Sequence, residues 1–208
     1  MKSLAIVGAS GHGKVVADAA ERSGWSHVVF FDDAWPRQKK NAFWHVEGDM
    51  ETLLDSLGNY DGVVVAIGNN KIRIQKQQLL LDSGAALVSI VHPSAVVDSR
   101  ADLGVGSVVM ACAVINIDAY IGAGCIVNTG ATIDHDCHLG KCVHISPGAH
   151  LAGGVTVGEG SWIGIGASIR ELISIGSDVV VGAGAAVVDH IPDECMVTGV
   201  PARVVNLE

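Results

Sequence analysis

The sequence contains few aromatic residues and few charges. Aromatic residues are 4% of the 208 positions, so a core must be built from aliphatic side chains. Charged residues are 17% and give a formal net charge of −9, and such an acidic surface repels the phosphate backbone of nucleic acids. The 49% hydrophobic content excludes intrinsic disorder. We therefore expect a globular protein of one large or two small domains that does not bind nucleic acid.

The sequence also lacks the features of export, membrane insertion and disulfide bonding. The apolar run near the N-terminus, residues 4–9, is too short for a secretory signal. The uncharged stretch 142–158 is interrupted by Gly, His and Pro, unlike a membrane helix. The five cysteines are odd in number and contain no CxxC pair. These absences predict a cytoplasmic protein without a membrane partner.

A strict six-residue repeat occupies the second half of the chain. A helix repeats every 3.6 residues and an ordinary strand every two, so neither explains a period of six. A coil of short strands does, with one strand and one turn per hexapeptide. The aliphatic residues would stack inside the coil and glycines would form the corners. The series is Val91, Val97, Leu103, Val109, Ile115, Ile121, Val127, Ile133, Leu139, Ile145, Leu151, Val157, Ile163, Ile169, Ile175, Val181 and Val187.

The first 85 residues instead alternate short apolar runs with helical patterns. This order predicts a small parallel sheet of the Rossmann type. Residues 34–60 are the least regular part, with one short helix expected at 51–57. The predicted strands are 3–8, 28–31, 61–68 and 86–91, and the longer predicted helices are 14–23 and 71–83.

A glycine loop, residues 8–13, follows the first predicted strand. Its order is G-x-x-G-x-G, which differs from the dinucleotide fingerprint G-x-G-x-x-G. It still places backbone N–H groups at the start of a helix, where a phosphate is favoured. Asp32 or Asp33, about twenty residues on, could accept hydrogen bonds from a ribose or a base. The loop is thus either a nucleotide site or a structural turn, and a nucleotide-linked substrate fits better than NAD.

The repeat contains five histidines, of which His135 is the candidate general base. It lies between Asp134 and Asp136, and a neighbouring carboxylate can orient an imidazole and raise its basicity. The alternative is that these three residues are only a polar corner. Three other histidines, six residues apart, would lie on different faces of the coil, so no metal site is expected: His138, His144 and His150. Cys125 and Cys137 fall on inward positions, and Trp162 is expected at the surface or an interface.

Four motifs together resemble the hexapeptide-repeat acyltransferases that act on nucleotide sugars. They are GASGHGKVV, FFDD, AIGNNKIR and the closing segment 197–203, and the resemblance extends over essentially the whole chain. The resemblance implies a left-handed parallel β-helix in residues 86–208, after a nucleotide-sugar-binding domain in residues 1–85. It also implies acetyl-CoA as co-substrate and a homotrimer with active sites between adjacent chains. Sialic-acid-operon O-acetyltransferases, GDP-perosamine N-acetyltransferases and the N-acetyltransferases of the bacillosamine pathway belong to this group.

The resemblance also assigns residues to roles. His135 would be the base and Asp136 its support, with Asp134 able to share that role. Asn128 would lie near the reacting groups. The other implied contacts are Ser10, Gly11, His12, Asp32, Asp33 and Gly68 for the nucleotide sugar, and His144, Ile165 and Ala183 for acetyl-CoA. Asp136 replaces a glutamate found in many relatives, and Ala183 replaces a glycine.

The expected reaction is acetylation of the 4-amino group of a sugar of the UDP-4-amino-4,6-dideoxy-N-acetylglucosamine type. Three alternatives remain open at this point. They are O-acetylation of a sialic acid, N-acetylation of GDP-perosamine, and a catalytically silent trimer that binds a nucleotide sugar as a scaffold. A NAD-dependent oxidoreductase is disfavoured by the loop order and by the repeat.

Overall fold

In the computed structural model, which describes residues 2–205, the N-terminal part is a five-stranded sheet flanked by helices. The sheet order is β3-β4-β2-β1-β5, and all pairs except the antiparallel β3–β4 are parallel. Its strands are β1 (Ser3–Val7), β2 (His27–Phe31), β3 (Lys40–Asn41), β4 (Trp44–Gly48) and β5 (Gly62–Val65). The helices are α1 (Gly11–Arg22), α2 (Met50–Asp55) and α3 (Asn70–Asp82), with a 3₁₀ turn at Leu57–Asn59.

The sheet differs from its prediction in one strand. The three strands expected before residue 70 and all three helices are confirmed, with their ends moved by a few residues. The predicted strand 86–91 was wrong, because only Leu87 bridges this sheet, through Val63. Ile90 instead donates its N–H to the carbonyl of Ser107 and so begins the coil. The fourth parallel strand of the sheet is β4, which lies within residues 34–60, the least regular part of the sequence.

The rest of the chain is a coil of two-residue parallel strands in three faces. Up to residue 187 each strand pairs with the strand 18 residues away, so three hexapeptides make one turn. The first face contains β6 (Ile90–Val91), β9 (Val108–Val109), β12 (Ile126–Val127), β15 (His144–Ile145), β18 (Trp162–Ile163) and β21 (Val180–Val181), and it ends in β23 (Met196–Thr198) and β24 (Arg203–Val205). The second face contains β7 (Val96–Val97), β10 (Val114–Ile115), β13 (Thr132–Ile133), β16 (His150–Leu151), β19 (Ser168–Ile169) and β22 (Ala186–Val187). The third face contains β8 (Asp102–Leu103), β11 (Tyr120–Ile121), β14 (His138–Leu139), β17 (Thr156–Val157) and β20 (Ser174–Ile175).

The aliphatic series fills the inside of this coil, as the repeat predicted. From Val109 to Val187 its members are almost completely buried in one cluster, together with Cys125 and Cys137. Three columns of turns separate the faces. We call the turns between the first and second faces the first corner, those between the second and third faces the second corner, and those between the third and first faces the third corner.

The sheet domain packs on the N-terminal end of the first face. The outward side chains of Ile90, Val108 and Ile126 share a buried cluster with Leu4 and Val16 of the sheet domain. The C-terminal end of the same face stays uncovered, with Trp162 42% exposed. The division at residue 85 stays a prediction. No helix within residues 2–205 has both the length and the apolar character required to cross a bilayer.

Candidate active site

A cavity of about 270 Å³ lies at the carboxyl ends of β1, β2 and β5. Ser10, Asp32, Asp33 and Gly68 line it, which brings together four of the six residues assigned to the nucleotide sugar. Ser10 is the N-cap of α1 but its side chain makes no capping hydrogen bond, and no acidic residue lies in the first turn. The unpaired N–H groups at this helix start favour an anion. The cavity can therefore bind a phosphate.

Asp32 fixes the glycine loop rather than standing free in the cavity. Its Oδ2 accepts a hydrogen bond of 2.7 Å from the Ala9 N–H, and its Oδ1 one of 2.8 Å from the Ala34 N–H. Gly13 is required because a Cβ there would lie 2.2 Å from the carbonyl oxygen of Gly8. Asp33 does not bind the loop; its carboxylate instead pairs with Lys76 at 3.0 Å. Lys76 lines the cavity and supplies a positive charge that the sequence analysis missed.

His12 and Gly11 do not line this cavity. His12, itself part of the glycine loop, is partly buried, and its buried Nε2 has no hydrogen-bond partner among the residues described. Burial, and then the nearby charge of Arg73, lower the pKa of His12 to about 4. The imidazole is therefore neutral near pH 7. Gly11 is exposed as the first residue of α1.

His135 lies at the second corner with its ring held by Asp136. The Nδ1 atom is 2.7 Å from Asp136 Oδ2, and a carboxylate only accepts, so Nδ1 carries the proton. The Nε2 lone pair then faces outward without a partner in residues 2–205. Asp134 plays a different part, because its Oδ1 accepts from the His135 N–H at 2.9 Å and from Asn116 at 2.8 Å. The hydrogen bond to Asp136 and the charge of Asp134 raise the pKa of His135.

The imidazole of His135 lies against Gly153, which occupies the same corner one turn of the coil later. A Cβ built on Gly153 would be 2.6 Å from the ring Cε1 and 2.7 Å from Nε2. An open cavity of about 450 Å³ is lined by this pair together with Glu171 and Leu172 of the following coil. The Gly153 N–H makes no hydrogen bond within the described chain. This corner therefore offers a proton acceptor and a free N–H donor side by side.

His144 and Asn128 lie where the sheet domain meets the first face. His144 is 7% exposed, and its Nε2 is 3.3 Å from Asn128 Nδ2. Its ring stacks on Trp162 with centroids 5.2 Å apart and an angle of 9°. Burial, then the charge of Arg73, lower the pKa of His144 to about 3. His144 is thus a neutral side chain whose ring packs flat against the ring of Trp162.

An apolar groove of about 280 Å³ runs along the uncovered end of the first face. Ile165 and Ala183, at successive turns of the first corner, both line it, as the acetyl-CoA assignment requires. Trp162 forms one wall and donates its Nε1–H to Ser146 Oγ at 2.7 Å. His144 does not line the groove and touches it only through Trp162. The groove has the apolar lining that an extended acyl carrier needs.

The predicted residues therefore form three separate groups in one chain. The nucleotide residues lie in the sheet domain, the groove follows the first corner, and His135 stands at the second corner. The 18-residue spacing of the coil would have been enough to place Gly153 next to His135. No local sequence pattern indicated that Lys76 would line the nucleotide cavity. Within residues 2–205 no group of three or more His, Cys, Asp or Glu side chains is placed to hold a metal ion.

The comparisons identify relatives of both parts of the chain. Residues 3–80 match the family described as the PglD N-terminal domain. A UDP-N-acetylbacillosamine N-acetyltransferase of Bacillus subtilis (strain 168) is 39% identical over 112 residues, which are 52% of this chain. The match spans about half the length of that curated relative, 51%.

Several solved structures match almost the whole chain. The acetyltransferase domain of PglB from Neisseria gonorrhoeae FA1090, in complex with acetyl coenzyme A, has a TM-score of 0.94 at 45% identity and covers 98% of this chain and 99% of its own. PerB from Caulobacter crescentus, in complex with CoA and GDP-perosamine, has a TM-score of 0.93 at 38% identity and covers 99% and 98%. These matches confirm the left-handed sense of the β-helix.

Proposed function

This chain belongs to the left-handed β-helix sugar N-acetyltransferases represented by PglB and PerB, and from that premise we propose that it acetylates a nucleotide-linked amino sugar with acetyl-CoA. The proposal depends above all on His135, an exposed imidazole whose Nδ1–H is held by Asp136 and whose Nε2 is free. The nucleotide occupies the cavity at Ser10 and Lys76. The pantetheine arm of acetyl-CoA occupies the groove at Ile165 and Ala183.

The reaction is a direct transfer without an acyl-enzyme. The amine nitrogen attacks the thioester carbonyl, and His135 Nε2 takes the proton that the amine loses. The Gly153 N–H stabilises the oxyanion of the tetrahedral intermediate, after which the C–S bond breaks and the thiolate of CoA receives the proton. Cys125 and Cys137, the two cysteines on inward positions, take no part, since burial raises the pKa of the Cys125 thiol to about 12 and also raises that of Cys137.

The acceptor we propose is a UDP-4-amino-4,6-dideoxy-N-acetylglucosamine, because a UDP-N-acetylbacillosamine N-acetyltransferase is 39% identical to half of this chain. GDP-perosamine is the second candidate. PerB, which is 38% identical to this chain over nearly its full length, was solved in complex with GDP-perosamine. Thiol release from acetyl-CoA with each acceptor separates the two. The His135→Gln variant should lose turnover, while His45→Gln, an exposed histidine on β4, should keep it. Turnover by His135→Gln at the wild-type rate would refute the base assignment.

We further propose that each active site is shared between two copies of the chain in a homotrimer. The support is geometric: within one chain the base stands at the second corner, whereas the groove follows the first corner. An adjacent copy can place its second corner against that groove. The five free cysteines are consistent with the reducing cytoplasm, which we propose as the compartment.

Mixing two inactive variants tests the shared site. His135→Gln removes the base and Ala183→Trp fills the groove, so each alone should be nearly inactive when acetyl-CoA is kept well below the KM of the Ala183→Trp variant. Random assembly of the two at equal amounts should restore about a quarter of the wild-type sites, because a base and a groove from different parents then meet. No recovery after co-expression, with mixed oligomers present, would show that base and groove act within one chain.

A further inference from the structure

Arg73 of α3 is a buried charge that has no carboxylate partner within residues 2–205. Arg73 lies between the sheet domain and the coil, and its exposed fraction is 0%. All five of its N–H donors are nevertheless used. Nε donates to Gly124 O at 2.8 Å, Nη1 to Ile67 O at 2.8 Å and Gly68 O at 3.1 Å, and Nη2 to Asn70 Oδ1 at 2.8 Å and Cys142 O at 2.7 Å. Burying an arginine is costly, so complete hydrogen bonding is needed to keep it there.

The acceptors of Arg73 belong to both halves of the site. Ile67 and Gly68 line the nucleotide cavity. Gly124 and Cys142 are successive turns of the third corner, and their carbonyls accept no backbone hydrogen bond. Cys142 lies two residues before His144 in the chain. One planar group therefore connects the wall of the nucleotide cavity to the coils that carry Asn128 and His144.

We propose that Arg73 is a positioning residue that fixes the Ile67–Gly68 wall of the nucleotide cavity against the coils bearing Asn128 and His144. This inference rests on the proposed function, because that alignment places the sugar amine relative to the acetyl group. A rigid fork is required, since the acceptors lie in two domains and must be met together. A lysine carries the same charge but offers three donors from a single atom and cannot bridge them.

The charge of Arg73 has a second effect on the same layer. It helps to lower the pKa of both His12 and His144, after the larger effect of burial. Lysine at position 73 would keep most of this effect, whereas it would lose the bridge. Arg73→Lys therefore separates the positioning role from the electrostatic one.

Gln77 provides a matched control on the same helix. It is 4% exposed and donates from Nε2 to Gly106 O at 3.1 Å, one coil away from the Arg73 contacts. Gln77 touches neither the nucleotide cavity nor His144. Gln77→Met thus removes a buried hydrogen bond between the domains and none of the five hydrogen bonds of Arg73.

The test combines hydrogen exchange with turnover for the wild type, Arg73→Lys and Gln77→Met. Arg73→Lys should speed amide exchange by at least about tenfold in residues 66–69 and 142–146 together. It should also lower kcat by about a hundredfold, as a misalignment near 1 Å does. Gln77→Met should leave both segments and kcat close to wild type. If Arg73→Lys does not fold, Asn70→Ala, which removes one acceptor, should show the same pattern more weakly.

Each outcome decides the proposal. Wild-type exchange in both segments and wild-type kcat in Arg73→Lys would overturn it, as would equal effects of Arg73→Lys and Gln77→Met. If the wild type acetylates no amino sugar, the proposed function fails. The exchange data then still decide whether Arg73 holds the two segments together.

Discussion

Substitution of Gly153 by alanine should disable the enzyme without unfolding it. The added Cβ would lie 2.6 Å from Cε1 and 2.7 Å from Nε2 of His135, whereas ordinary contact begins at 3.4 Å. The imidazole must therefore move by close to 1 Å or rotate away from Asp136. The backbone at Gly153 is outside the left-handed region, so alanine adds no backbone strain there.

The expected magnitude follows from the displacement of the base. A misplacement of about 1 Å costs on the order of a hundredfold in rate, so kcat should fall by about that factor. The KM values for acetyl-CoA and for the nucleotide sugar should stay near wild type, because neither cavity contains the new methyl group. Thiol release under saturating substrates measures kcat, and circular dichroism with thermal unfolding checks the fold.

Gly58→Ala is the matched control for Gly153→Ala. Gly58 also lies outside the left-handed region, and a Cβ there meets nothing within 4 Å. It should keep wild-type kcat and unfolding temperature. If Gly153→Ala folds and turns over at the wild-type rate, the reasoning is refuted, since the imidazole would then not react from its place against Gly153.

Three further predictions concern pH and the groove. Asp136→Asn replaces the carboxylate that raises the pKa of His135 with a neutral amide, so the acid limb of a kcat/KM profile should move to lower pH while its plateau falls. His12 and His144 stay neutral in the fold with pKa values of about 4 and 3, below the ordinary 6.5. The unfolded chain therefore binds protons first, and the free energy of unfolding should drop as pH falls from 6.5 towards 4, by up to about 1.4 kcal/mol per pH unit for each histidine; equal urea midpoints at pH 7 and 5 would contradict this. Ala183→Trp should raise KM for acetyl-CoA at least about tenfold and leave nucleotide binding, measured by calorimetry, unchanged.

The six-residue period was sufficient to predict the coil, because each aliphatic residue from Val109 to Val187 is buried at the position that the period assigns. The sheet was harder to predict at its edges. Strand β4 has alternating burial but few apolar residues, so its composition resembled a loop. Ile90 and Val91 pair with the strand 18 residues later, and such a partner cannot be found from the local sequence.

The candidate site was predictable where the chain's own order determines it. His135 and Asp136 are neighbours in sequence, and their ring-to-carboxylate contact follows from adjacency. The contacts that were missed join distant segments. Lys76 reaches the nucleotide cavity from α3, and its position depends on how that helix docks.

The docking of α3 shows why a polar helix face can be a buried one. Asn70, Arg73 and Gln77 lie on one side of the helix, a pattern that predicts solvent exposure, yet all three are buried. They face the third corner, where four carbonyls accept no backbone hydrogen bond within residues 2–205 and so require other donors. The carbonyls that they bind belong to residues 18 apart: Gly106, Gly124, Cys142 and Gly160.

The same spacing explains how a uniform repeat carries three different chemistries. Residues 18 apart stack in one column, as His135 does on Gly153, whereas a step of six residues moves a side chain to another corner. The inward aliphatic residues recur every six positions and do not distinguish the corners. A displacement of the corner residues by six positions would therefore preserve the core and the coil, yet it would move the base to a different corner. The fold thus leaves the corners free to differ, and the chemistry is determined by which column each polar residue occupies.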